Sequence, residues 1–163
     1  MNRRLVAIAV TLVLLVGAAP AWARPLKFAA RLSGAQQNPE VATAASGKLT
    51  VKFDEALTQV EIKLTLADLS DFTAAHFHCN RAGLDGGVAF GIIMPGPCTL
   101  EGTQIRCTLT NADLTPNTCD SAIGRPINNI ASLAFAMRDG LIYANVHTAA
   151  HTAGEIRGQL IGK

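Results

Sequence analysis

The sequence predicts an all-β fold, a Greek-key β-sandwich or barrel with one short helix, behind an N-terminal signal peptide at residues 1–23. Three observations predict it. Apolar and polar residues alternate with a period of two along much of 24–163, the mark of strands with one face in a core. About eight such segments fall within ~140 residues, the density of sandwiches and small barrels. Only one segment has helical spacing. With hydrophobic residues at 49% and charged residues at 16%, the chain is no disordered polyelectrolyte.

Residues 1–23 have the parts of a secretory signal. Arg3 and Arg4 form a basic start, 5–16 is an apolar run, and Ala21-Trp22-Ala23 puts small residues at both positions of an A-x-A cleavage site. The alternative is an uncleaved anchor. After residue 23 no apolar run approaches the ~18–20 residues that span a bilayer. Residues 24–163 carry as many acidic as basic side chains. A neutral chain has no general attraction for nucleic acid or an anionic membrane. The expected location is secreted or periplasmic.

The elements follow in order. Phe28, Ala30 and Leu32 make a strand ended by Ser33-Gly34. Leu49, Val51 and Phe53 alternate with Lys48, Thr50 and Lys52. Val60, Ile62, Leu64 and Leu66 alternate with Gln59, Glu61, Lys63 and Thr65, and Asp54-Glu55-Ala56 between these runs suits a hairpin. Residues 88–93 form an apolar strand stopped by Pro95-Gly96-Pro97. Leu100 and 105–109 give two short strands around Glu101-Gly102, and 111–125 is irregular. Ile127, Ile130, Ala131, Ala134 and Met137 recur at helical spacing between Pro126 and Gly140. Residues 141–146 and 155–161 are the last strands.

Cys79, Cys98, Cys107 and Cys119 all lie beyond the signal, and export brings them to an oxidising compartment. Two disulfides are expected. Three pairings exist; sequence-neighbour pairing, Cys79–Cys98 and Cys107–Cys119, is preferred. A free Cys79 acting as a metal ligand is the competing reading.

The histidines fall in two close pairs, His76-x-His78 and His147-x₃-His151. Residues two apart on a strand share a face, ~7 Å apart, so two imidazoles can converge on one ion. His147 and His151 would lie ~13 Å apart on a continuous strand. A turn at Thr148-Ala149-Ala150 brings His151 back. Imidazole is the commonest metal ligand and suits copper, zinc or nickel. The bland alternative is four hydrogen-bonded polar residues at strand ends. Asp85, in the turn Gly83-Leu84-Asp85-Gly86-Gly87, is a candidate carboxylate ligand, a hydrogen-bond acceptor fixing a histidine tautomer, or an ordinary turn residue. Glu155, Arg157 and Gln159 alternate on one strand face, either solvated or with Arg157 and Glu155 as an ion pair. No nucleophile elbow, Walker loop or dinucleotide fingerprint is present.

At these residues the sequence resembles the CHRD domain, the module named from chordin and common in secreted bacterial proteins. The resemblance opens at Leu32-Ser33-Gly34-Ala35-Gln36 with Pro39, and continues at Ala75-His76-Phe77-His78 with Gly83 and Gly86. It closes at Tyr143-Ala144-Asn145-Val146-His147-Thr148 and Gly154-Glu155-Ile156-Arg157-Gly158-Gln159. Asn80, Gly87 and Thr152 depart from the usual glycine, proline and proline. The resemblance covers nearly all of 24–163 and implies an all-β domain, with little about activity. A lesser similarity is to copper/zinc superoxide dismutase, whose copper site also uses an H-x-H strand.

The sequence therefore leads to a secreted or periplasmic CHRD-type domain binding a transition metal at His76, His78, His147 and His151. Copper, which heads the Irving–Williams order, is preferred and zinc is the alternative. Two other readings remain: a cell-envelope interaction module without metal, and a dismutase-like enzyme with Arg157 or Arg81 steering an anion.

Overall fold

The computed structural model describes residues 26–114 and 116–163. The signal segment, 1–23, lies outside the described residues. Ten strands form one antiparallel sheet: β1 (Lys27–Ser33), β2 (Ser46–Phe53), β3 (Gln59–Ala67), β4 (Phe72–Cys79), β5 (Val88–Ile93), β6 (Leu100–Glu101), β7 (Gln104–Thr110), β8 (Ile142–Thr148), β9 (Ile156–Gln159) and β10 (Ile161–Gly162). Their order is β5-β4-β8-β9-β1-β2-β3-β7-β6, with β10 on β1.

β2 and β3 alternate buried and exposed residues along their length, as the sequence pattern requires. Asp54 closes their hairpin by accepting the backbone N–H of Thr58 and Gln59, both at 2.8 Å. The sheet is curled. β3 and β4 lie five strand spacings apart, roughly 24 Å on a flat sheet. The link through residues 68–71 reaches only roughly 17 Å. The sheet must therefore bend into a half-barrel, and one apolar cluster fills it. Phe28 and Phe53 meet edge to face there at 5.9 Å, in the same core as Phe77, Phe90 and Leu109.

The helical segment becomes α2 (Ile130–Arg138), preceded by a single helical turn, α1 (Cys119–Ile123). α2 starts later than Pro126 suggests because Asn129 caps it. Asn129 Oδ1 accepts the Ser132 N–H at 2.7 Å, while Ser132 Oγ accepts the Asn129 N–H at 3.0 Å. Among the described residues no helix is long and apolar enough to cross a membrane.

Both disulfides form, but not between sequence neighbours. Cys79 pairs with Cys119 and Cys98 with Cys107, leaving no free cysteine. The preferred pairing fails because topology decides proximity. The start of α1 rests against the end of β4, bringing Cys119 to Cys79, while the loop after β5 delivers Cys98 to β7. With its sulfur in a disulfide, Cys79 cannot serve as a thiolate ligand.

Candidate metal centre

β4 has two buried faces. Ala75, Phe77 and Cys79 point into the core, so His76 and His78 lie on the outer face. β8 runs antiparallel beside it, pairing His76 with Asn145, His78 with Tyr143 and Ala74 with His147. Tyr143, Asn145 and His147 thus share the histidine face. Loops cover this face, leaving His76, His78 and His147 only 8–9% exposed.

Three backbone carbonyls fix the three rings. Met94 O lies 3.0 Å from His76 Nε2, Gly86 O lies 2.9 Å from His78 Nδ1, and Thr152 O lies 3.0 Å from His147 Nδ1. A carbonyl can only accept, so each of these nitrogens is the N–H. In the neutral imidazoles the other nitrogens, His76 Nδ1, His78 Nε2 and His147 Nε2, then carry lone pairs. His76 Nδ1 and His147 Nε2 face each other at 3.1 Å. His78 Nε2 is buried with no hydrogen-bond partner.

The three histidines each offer a ligand nitrogen within 4.8 Å of the others. One ion at ~2.0–2.1 Å per bond holds two donors no more than ~4.2 Å apart; His76 Nδ1 and His147 Nε2 at 3.1 Å already meet that limit, and small ring shifts would draw the whole group within it. The residues fit a first-row metal: three imidazole donors with fixed tautomers, one of them otherwise a buried, unsatisfied acceptor. His151 does not belong to this group. The expected turn forms, with the His151 N–H donating to Thr148 O at 3.2 Å. Burial opposes ionisation of Glu155, but hydrogen bonds from Thr148 and Thr43 and the neighbouring His151 hold its carboxyl below the usual range.

Burial makes two of the rings, His78 and His147, poor bases. It is the main cause that lowers the His78 pKa to about 4, with further lowering from the neighbouring His76, His147 and Arg157. Burial also depresses His147, and His76 adds to it. Both are neutral at pH 7.

A second layer holds the first. The Tyr143 ring stacks on His78, with centroids 5.1 Å apart and planes 15° from parallel. The Arg157 guanidinium lies 3.5 Å over the Tyr143 ring. Arg157 is 2% exposed and pairs with Asp85 at 2.9 Å, not with Glu155. It also donates to the carbonyls of Leu84 at 2.6 Å and Arg81 at 3.3 Å. Two expectations are corrected here. β9 carries no solvated charge face, and the ion pair expected between Arg157 and Glu155 forms between Arg157 and Asp85. Asp85 serves Arg157, and the tautomer-fixing acceptors are backbone carbonyls, which sequence inspection could not assign.

Asn145 was also missed. It accepts from Gln37 Nε2 at 2.7 Å and donates to Ala153 O at 3.2 Å, tying the loop after β1 and the turn before β9 to the site. The signal was present: Tyr143, Asn145 and His147 alternate with apolar residues, so all three share a face opposite the core.

The family model of the CHRD domain matches residues 28–160. No curated protein matches the chain. No solved structure matches it.

Proposed function

The chain belongs to the CHRD domain family, and we propose that it is an exported module, secreted or periplasmic, that holds one transition-metal ion. His76, His78 and His147 are the protein ligands, and copper is the preferred ion, with zinc second. The observation that carries this reading is a cluster of three imidazoles, each with a nitrogen within 4.8 Å of the others and each ring hydrogen-bonded to a backbone carbonyl. Without a cation or an extra proton, His76 Nδ1 and His147 Nε2 would oppose lone pair to lone pair. Two disulfides support export, because thiols stay reduced in the cytosol.

Bound copper would supply Lewis acidity and one-electron redox capacity. The chain's own part is to present neutral imidazoles, to lock His78 under Tyr143, and to exclude bulk water through the 80–87 loop. Storage or delivery of the ion is the role this arrangement suits.

The test uses the purified, chelator-treated protein lacking residues 1–23. The single tryptophan, Trp22, is then absent, so the single tyrosine, Tyr143, reports binding. One equivalent of Cu(II) is expected to quench Tyr143 emission, because the ring stacks on a ligand. Equal copper affinity in wild type and His76→Ala/His78→Ala would overturn the assignment and leave the metal-free envelope module in its place.

A further inference from the structure

The equal numbers of acidic and basic residues in 24–163 conceal a segregated charge. The outer face of β1, β2, β3 and β7 is exposed, and its register sets like charges directly opposite. Lys27 pairs with Lys52, Arg31 with Lys48, and Lys63 with Arg106. Directly opposed like charges destabilise a sheet. The basic side chains of these strands meet one acid, Glu61, whose carboxylate lies 3.6 Å from Lys52. Lys163 lines the same groove as Arg31 and Lys48. Every lysine of the chain therefore lies on this face. Two shallow grooves cross it, of about 550 and 590 Å³.

We infer that this face binds an extended anionic polysaccharide. A concentrated positive field attracts a polyanion whatever the net charge of the chain. The occupant is a glycan because the features of other polyanion sites are missing. The groove-lining residues include no aromatic ring on which bases could stack, as single-stranded nucleic acid would require. A membrane-inserting face needs an apolar band, and Ile161 alone stands out at the edge. The groove floors are rigid strand backbone lined with Thr50, Thr108 and Gln36, suited to hydroxyl groups between charges.

The test is affinity for heparin, a sulfated glycan, and polygalacturonate, a carboxylated one, at two salt concentrations. Wild type is expected to bind at least one, more weakly at the higher salt. Lys48→Glu/Lys63→Glu should weaken binding roughly tenfold or more, since each basic residue at an anionic surface contributes appreciably. The same variant sets Glu opposite Arg31 and Arg106, so its melting temperature should hold or rise. Lost binding without lost stability separates recognition from folding. No binding to either glycan, or undiminished binding by the variant, would overturn the inference. Equal affinity for single-stranded DNA or phosphatidylserine vesicles would also overturn it, assigning the face to another class of partner.

Discussion

His76 Nδ1 lies 3.1 Å from His147 Nε2, while the far nitrogen of each ring meets a backbone carbonyl, Met94 O or Thr152 O. With both far nitrogens protonated, the near pair can be satisfied by one additional cation, a proton or a metal. A metal bound to the folded state only should stabilise it by mass action, about 4 kcal/mol at a thousandfold excess over Kd. For a domain of this size that is a rise in Tm of roughly 10 °C. Calorimetry with Cu(II) and with chelator checks it. His151→Ala should keep the shift and His78→Ala should lose most of it.

Acid should remove stability in a defined window. His78 is held near pKa 4 in the folded chain by burial, against an ordinary value of 6.5. The folded state therefore disfavours the proton that the unfolded chain accepts. Stability is full above pH 6.5 and falls as pH drops toward 4, by about 3 kcal/mol for a shift of this size. His147 is depressed by burial and adds in the same direction. Urea unfolding of the chelator-treated protein at pH 7, 5 and 4 measures the loss. His78→Gln should flatten part of the slope; parallel curves would remove His78 as its source.

How much of this was legible depends on which faces are buried. β2 and β3 have one solvated face, so their period of two was plain in Leu49, Val51, Phe53, Val60, Ile62 and Leu64. β4 is covered on both sides, and His76 and His78 break its apolar run where a loop, not solvent, lies above. The H-x-H spacing gave two imidazoles on one face. His147 was a candidate from its place at the end of the 141–146 strand, but only the β4–β8 register, which pairs it with Ala74, brings it onto the same face. The disulfide pairing failed for the same reason: Cys79 and Cys119 are distant in sequence and adjacent only after α1 docks. The charge-bearing outer face was written in Lys48, Lys52 and Lys63, but its like-charge pairs needed the register of β1–β2 and β3–β7.

Arg157 and Asp85 should contribute unequally although they form one ion pair. Arg157 is buried, stacks on Tyr143 and donates to two carbonyls besides Asp85. The Asp85 side chain is 61% exposed. Arg157→Met removes a buried guanidinium that stacks on Tyr143 and holds the Leu84 and Arg81 carbonyls, and is expected to cost about 3 kcal/mol. Asp85→Asn loses a solvent-screened pair and should cost about 1 kcal/mol or less. Denaturant unfolding of the two variants compares them. Equal losses would mean that the pair, and not the enclosure of Arg157, holds the 80–87 loop.

The disulfides should also rank by the loop each closes. Cys79–Cys119 spans a sequence separation of 40 and Cys98–Cys107 one of 9. On the chain-entropy account the first contributes about 4 kcal/mol and the second about 2.5 kcal/mol. Cys79→Ala/Cys119→Ala should therefore unfold at lower denaturant than Cys98→Ala/Cys107→Ala. The reverse order would show that native-state packing around Cys98 outweighs unfolded-state entropy.

Gly86 should affect the metal more than the fold. A Cβ there would collide with the backbone carbonyl of Cys79, so alanine must push the 83–87 turn away from β4. The Gly86 carbonyl accepts the His78 Nδ1–H at 2.9 Å, and its N–H donates to Tyr143 Oη at 3.0 Å. Moving the turn disturbs both groups that orient His78. Loss of such an orienting partner typically weakens metal binding by about 10–100-fold. Gly124 is the control. It ends α1 at φ 73° with open space around it, so alanine there strains the backbone by about 1 kcal/mol and touches no ligand. Copper titration of both variants should show a weakened Gly86→Ala and an unchanged Gly124→Ala. Equal affinities would mean that His78 keeps its tautomer without Gly86, and the carbonyl argument for the site would fail.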